Sequence, residues 1–216
     1  MVDRSFRLGD HGRYVAQRQM KLWTIQTQPA LQCLRQRGYL RCQRTYADRD
    51  YLAAYDWMAA QMRDRIGRPP STRISIPIWA WKQYDGTHKK RPDLRRSGHL
   101  PSGTHGYRIG FTVPDNRVLL SDFQLWHFAL NYSYLASSEL DAETFDAKHP
   151  NLRCSWFAPP NDRQIDSAIK LSWQRIFDLD WHDPYATDPK NEKSIQGTLW
   201  QLDESWITTV DEFVAR

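Results

Sequence analysis

Between Trp79 and Arg96 the chain reads W-A-W-K-Q-Y-D-G-T-H-K-K-R-P-D-L-R-R, aromatic side chains giving way to cations. Lys89, Lys90, Arg91, Arg95 and Arg96 can neutralise phosphates. A guanidinium such as that of Arg95 can also grip a phosphate through two parallel hydrogen bonds. Trp81 or Tyr84 offers a flat face on which a base could stack. The competing reading makes the cations a solvated loop and the Trp rings core, because charge runs are usually surface.

A second group is D-F-Q-L-W-H-F-A-L-N, Asp122 to Asn131. On a helix His127 and Asn131 are four apart and face each other. Such a pair could orient a substrate or a proton-transfer water, or it could be a core histidine satisfied by its neighbour. A third group joins the first and last strands, expected as neighbours: Trp23, Thr24 and Gln26 with Gln196, Thr198 and Trp200. Polar groups turned inward from a sheet are costly unless paired, so these either pair or line a cleft. Cys42 stands close to Arg41 and Arg44, which would lower a thiol pKa, but no base for it can be identified.

The chain has no G-x-G-x-x-G, P-loop, G-x-S-x-G or H-E-x-x-H, and no spacing that suggests a metal. Three cysteines without a C-x-x-C give neither a disulfide framework nor a zinc ribbon, and point to reduced thiols in a cytoplasm. No apolar run reaches transmembrane length, so no membrane partner is expected. A formal charge of +5 favours anionic partners.

The elements that must position these residues read as follows. Residues 1–19 are polar and unpatterned, a weakly ordered extension, and residues 20–216 form one domain. Lys21 to Thr27 alternates as a strand, with Leu22, Thr24 and Gln26 on one face and Trp23 and Ile25 on the other. Thr27 caps a helix that stops at Gly38, and Tyr39-Leu40 adds a short extended piece. Asp48 or Asp50 caps a longer helix to about Ile66. Ile74 to Gln83 is a strand, and Pro77 inside it argues for an edge or a bulge. Asp85 to Gly106 is a long loop, a type that is usually functional or disordered. Tyr107 to Val113 and Val118 to Leu120 read as an antiparallel hairpin, after which Ser121 or Asp122 caps a helix. Ser137 to Cys154 is acidic, then irregular. Asn161 or Asp162 opens another helix, Ser194 to Leu202 is a last strand, and Trp206, Ile207, Val210 and Phe213 recur at helical spacing. Strands and helices mix without regular alternation, which predicts an α+β class: a single compact domain with a small, mostly antiparallel sheet and packed helices.

Several segments resemble an uncharacterised bacterial family, domain of unknown function three-eight-four-one. They are M-K-L-W-T-I-Q (Met20 to Gln26), A-Y-D-W-M-A-A-Q-M (Ala54 to Met62), P-I-W-A-W-K-Q (Pro77 to Gln83), R-P-D-L-R (Arg91 to Arg95), V-L-L-S-D-F-Q-L-W-H (Val118 to His127) and Q-G-T-L-W-Q-L (Gln196 to Leu202). The resemblance spans Met20 to about Phe213, implies that residues 1–19 are an extension, and implies no activity. In its opening strand, its helix and Gly38-Tyr39-Leu40 the chain is also similar to ADP-ribosyltransferase toxins, whose cofactor is NAD. It departs from them in lacking a His or Arg on the first strand, an H-Y-E set and a glutamate in the last strand. Gln196 stands where a catalytic acid would be wanted, and a glutamine cannot act as a base.

The expectation is a Trp-lined cleft for a nucleotide-like anion, with ADP-ribosyl transfer from NAD as the reaction such a cleft would admit. Trp23, Thr24, Gln26, Trp81, Gln83, Tyr84, Arg95, Asp122 and Asn131 would bind, and His127 and Gln196 are the catalytic candidates. The alternative is a non-catalytic nucleic-acid or protein-binding module that uses the basic loop 82–96.

Overall fold

The structure, a computed structural model, describes residues 18–74, 76–150, 152 and 157–216. Most of the expected extension (1–17) and Cys154 lie outside these residues. Gln19 already belongs to the first strand, β1 (Gln19–Thr27). The alternation read from the sequence holds there: Leu22 and Thr24 are buried, while Trp23 and Ile25 are half-buried on the opposite face. β1 passes directly into α1 (Gln28–Arg37), with Pro29 in its first turn. Thr27 takes the N-cap position without a side-chain cap bond, and Gly38 ends the helix at φ 75°, a left-handed conformation that glycine adopts at no steric cost. β2 (Tyr39–Leu40) then pairs with β7 (Leu202–Asp203).

α2 (Leu52–Ile66) follows a single 3-10 turn, and it is this turn that the Asp48 side chain caps, by accepting from the Asp50 amide. β3 spans only Ile78–Gln83. It is an interior strand, paired with β1 on one side and with β6 (Ile195–Leu199) on the other, so the expected edge position is corrected. Pro77 sits just before the strand, where its missing N–H interrupts no ladder. β4 (His105–Pro114) pairs with β1 along the whole of β1. The expected hairpin does not form. β5 (Leu119–Asp122) crosses to the far side of the sheet and pairs with β6. The C-terminal segment, with its helical spacing of apolar residues, is instead the edge strand β8 (Ile207–Val214) against β4. Its run Ile207-Thr208-Thr209-Val210 is β-branched throughout, stiff in a helix and at ease in a sheet.

The result is one six-stranded sheet in the order β5-β6-β3-β1-β4-β8, with every pair antiparallel. α1 covers one face, its Leu31 and Leu34 packing with Leu22, Ile109 and Phe111. On the other face, α2, α3 (Phe123–Leu130) and α5 (Arg163–Ser172) bury Trp57, Trp126 and Trp173 over the β5-β6-β3 half. α4 (Glu139–Lys148), a helix in the stretch read as acidic and then irregular, adds no buried residue to that layer. The class is therefore α+β, in a single compact domain.

The turn after α3 places Tyr132 at φ 54° with its ring edge-on to Trp173, and its hydroxyl donates to Asp166 at 2.6 Å. Burial, with the hydrogen bond to Asp166, raises its ionisation from 10.0 to about 12. This group therefore contributes its full stabilisation below pH 10.0 and loses it as pH rises towards about 12. Tyr132→Phe should flatten the fall in stability across that window in urea unfolding. An unchanged alkaline slope would show that the hydrogen-bonded phenol does not couple to folding.

Candidate anion-binding groove

The half-face of the sheet that the helices leave uncovered is built by β1, β4 and β8. Trp23, Gly110 and Thr209 stand directly opposite one another across these strands. A Cβ at Gly110 would lie 2.4 Å from the Thr209 hydroxyl and 3.2 Å from the Trp23 ring. A side chain there would collide with the Thr209 hydroxyl and press on the indole, so glycine is what lets the strands and the ring approach this closely. Lys21, two residues before Trp23, shares its face, with its ammonium 5.6 Å from the ring centroid.

The loop that follows β3 forms the wall. Arg108 of β4 joins wall to floor. It is 7% exposed, gives Nε and one terminal nitrogen to Asp211 (3.0 and 2.8 Å), and gives the other to the Pro92 carbonyl at 2.6 Å. A tight turn carries the first cations: the Tyr84 and Asp85 amides donate to the Lys90 and Lys89 carbonyls, and the Thr87 amide to Asn191. Arg95 closes two hydrogen bonds onto the Asp93 carboxylate, which holds that group well below the usual carboxylate range. His99 fixes the same turn through Nε2, 2.9 Å from the Asp93 carbonyl.

The open groove measures 760 Å³ and is lined by six Lys and Arg side chains against the single carboxylate of Asp93. Their commitments differ. Arg95 pairs with Asp93, Lys89 with Asp85 at 3.4 Å and Arg108 with Asp211. Lys21, Lys90 and Arg91 have no ion pair among the described residues. Three cations without an ion pair among the described residues, around one half-buried indole, can hold an anion that carries a flat ring.

Of the residues singled out from sequence, Trp23, Lys89, Lys90, Arg91 and Arg95 line this groove. Trp81 is opposite Trp23 in register, but its ring packs edge-on against Tyr84 (4.9 Å) and Phe123 (4.8 Å). Tyr84 lies beneath the Arg96 guanidinium at 5.8 Å. Gln83 is buried and donates to the Lys190 and Lys193 carbonyls at 3.0 and 2.6 Å, so it anchors the adjoining loop. Asp122 is buried as the cap of α3 and ion-paired to Lys193. Asn131 ends α3, and His127 is exposed with Nδ1–H donating to the Phe123 carbonyl at 2.9 Å, so the expected His127–Asn131 facing pair is replaced by a bond within the helix.

The first and last strands are not neighbours, because β3 separates β1 from β6. Gln196 is therefore opposite Trp81 and Ser121, and both its side-chain oxygen and the Ser121 hydroxyl are buried without a partner among the described residues. Thr24 donates to the Trp79 carbonyl and accepts from Gln26, and Gln26 opens on a different cavity. The expected activation of Cys42 is also corrected: Arg44 binds Asp56, Arg41 binds Gln201, and burial pushes the thiol up.

Lys21, Arg108 and Lys193 were not singled out by the sequence reading. Lys21 is recoverable from the two-residue period it shares with Trp23, and Arg108 from its place as the lone cation inside an apolar strand. No local signal marks Lys193. Among the described residues no three His, Cys, Asp or Glu side chains gather as a metal site, and no helix is long and apolar enough to cross a membrane.

A family model described as domain of unknown function (DUF3841) matches residues 21–208. No curated protein and no solved structure matches the chain.

Proposed function

We propose that this chain, which belongs to the family described as domain of unknown function (DUF3841), binds a nucleotide-like anion in the groove between the β1-β4-β8 surface and the basic loop. The observation that carries this reading is the set of cations without an ion pair among the described residues, Lys21, Lys90 and Arg91, around the half-buried Trp23. Phosphates would meet the cations and the base would stack on the indole. Neither His127 nor Gln196 lines the groove, so the reading is of binding, with NAD as one nucleotide among several rather than the substrate of a transfer. The two thiols without a disulfide, Cys33 and Cys42, fit a reducing cytoplasm.

A single-stranded nucleic acid is the second reading. Arg96, half-exposed outside the groove's lining and paired with Asp85, continues the run of cations beyond the groove.

Calorimetric titration with ADP, NAD and a short single-stranded RNA tests both. The double variant Lys90→Ala/Arg91→Ala should weaken ADP by about tenfold or more, the order expected for losing hydrogen bonds from charged groups. Its melting temperature should not change, since neither side chain has an ion pair to lose. If RNA alone binds, and the variant lowers its log–log salt slope by about one for each contact removed, the nucleic-acid reading stands. No heat with any of the three ligands overturns both.

A further inference from the structure

A second cavity, of 780 Å³, opens at the end of the sheet where β1 runs into α1 and β3 begins. Its apolar lining includes Ile25, Ile78 and Trp79. Polar groups converge on it from three directions. Arg37 projects from the last turn of α1, exposed and without a partner among the described residues. Arg41 stacks on the Tyr39 ring at 4.1 Å and gives Nε to Gln201, which leaves both terminal nitrogens without a partner among the described residues. Gln26 completes the set. Its orientation follows from its neighbour: the one proton of the Thr24 hydroxyl goes to the Trp79 carbonyl, so that hydroxyl can only accept from the Gln26 amide nitrogen. The Gln26 side-chain oxygen is thereby left as an acceptor without a partner among the described residues, on a side chain that lines the cavity.

An apolar concavity with a few converging polar groups is the usual form of a small-molecule site. We infer that this cavity binds an apolar organic anion: a flat hydrocarbon or aromatic body against Ile25, Ile78 and Trp79, with a carboxylate-like head between Arg37 and Arg41. A donor on the ligand, such as a hydroxyl or amide N–H, would meet the Gln26 oxygen. This site is separate from the groove proposed for nucleotides. The two share no lining residue and differ in character, the groove being cationic around a single indole and the cavity largely apolar.

The probe is anilinonaphthalene sulfonate, an aromatic body with a fixed negative charge, used on the full chain. It should bind with one-to-one stoichiometry, gain fluorescence, and protect Cys33 and Cys42, which also line the cavity, from a neutral alkylating reagent. Arg37→Glu should weaken it by about tenfold or more. That variant removes an exposed side chain and leaves the fold intact, as an unchanged melting temperature would show. Nile red, which carries no charge, should bind wild type and variant alike. Lys90→Ala/Arg91→Ala should leave the probe's affinity unchanged, which separates this site from the groove. Unsaturable binding, thiols that stay reactive, or an affinity that follows Lys90 and Arg91 instead of Arg37 would each overturn the assignment.

Discussion

Lys193→Met should destabilise the fold by about 3–5 kcal/mol, the usual cost of leaving one member of a buried ion pair without the other. The Lys193 ammonium lies 3.1 Å from Asp122, with side chains 1% and 0% exposed. A third partner serves each end: the ammonium donates to the Trp181 carbonyl at 2.6 Å, and Asp122 accepts from the Thr187 hydroxyl at 2.8 Å. Asp122 also accepts the Leu125 amide as the cap of α3. Removing the cation strands a charge that water cannot reach. The double variant Asp122→Asn/Lys193→Met should recover much of the loss, because asparagine still caps a helix and carries no charge. Urea unfolding of the two single variants and the double closes the cycle. A single-variant loss under about 1 kcal/mol, typical of exposed pairs, would mean that water enters the site. The pair also bears on the groove. Gln83 and Tyr84, which begin its wall, are bonded to Lys193 and Ser194, so loosening this pair should lower affinity for ADP as well as stability.

Trp23→Ala should weaken ADP by about 1–3 kcal/mol, the range for losing one base–aromatic stack. Its effect on melting should be smaller than that of Trp81→Ala, since the half-buried Trp23 ring has no hydrogen bond and no aromatic neighbour among the described residues. Quenching of tryptophan emission by ADP should vanish with it. Trp81→Ala gives the contrast: its ring packs against Tyr84 and Phe123, so stability should fall while the quenching persists. If Trp81→Ala abolishes the quenching and Trp23→Ala does not, the stacking surface lies on the other ring and the groove is misplaced.

What the sequence disclosed was local. The alternation of β1, the stop at Gly38, the cap at Asp122 and the start of α5 at Asp162 all depend on residues within a few positions of one another. Each was legible for that reason. What it concealed was long-range. Pro114-Asp115-Asn116-Arg117 reads as a hairpin turn, yet β5 pairs with β6, because nothing local says on which side of the sheet a returning strand will find its partner. The apolar residues of β8 happen to fit a helical period, and its β-branched content was the better guide. The site follows the same division. Trp23 and Arg95 could be proposed separately, but that they line one groove depends on Arg108 clasping Pro92, a contact between a strand and a loop. Lys193 and Asp122 were brought together by packing alone.

That clasp has a kinetic consequence. Because Arg108 already holds the loop against the sheet, an anion entering the groove finds its wall in place and need not order a free chain. Binding should then proceed without a slow conformational phase, its association rate set by diffusion and by attraction to the cations, and rising as salt is lowered.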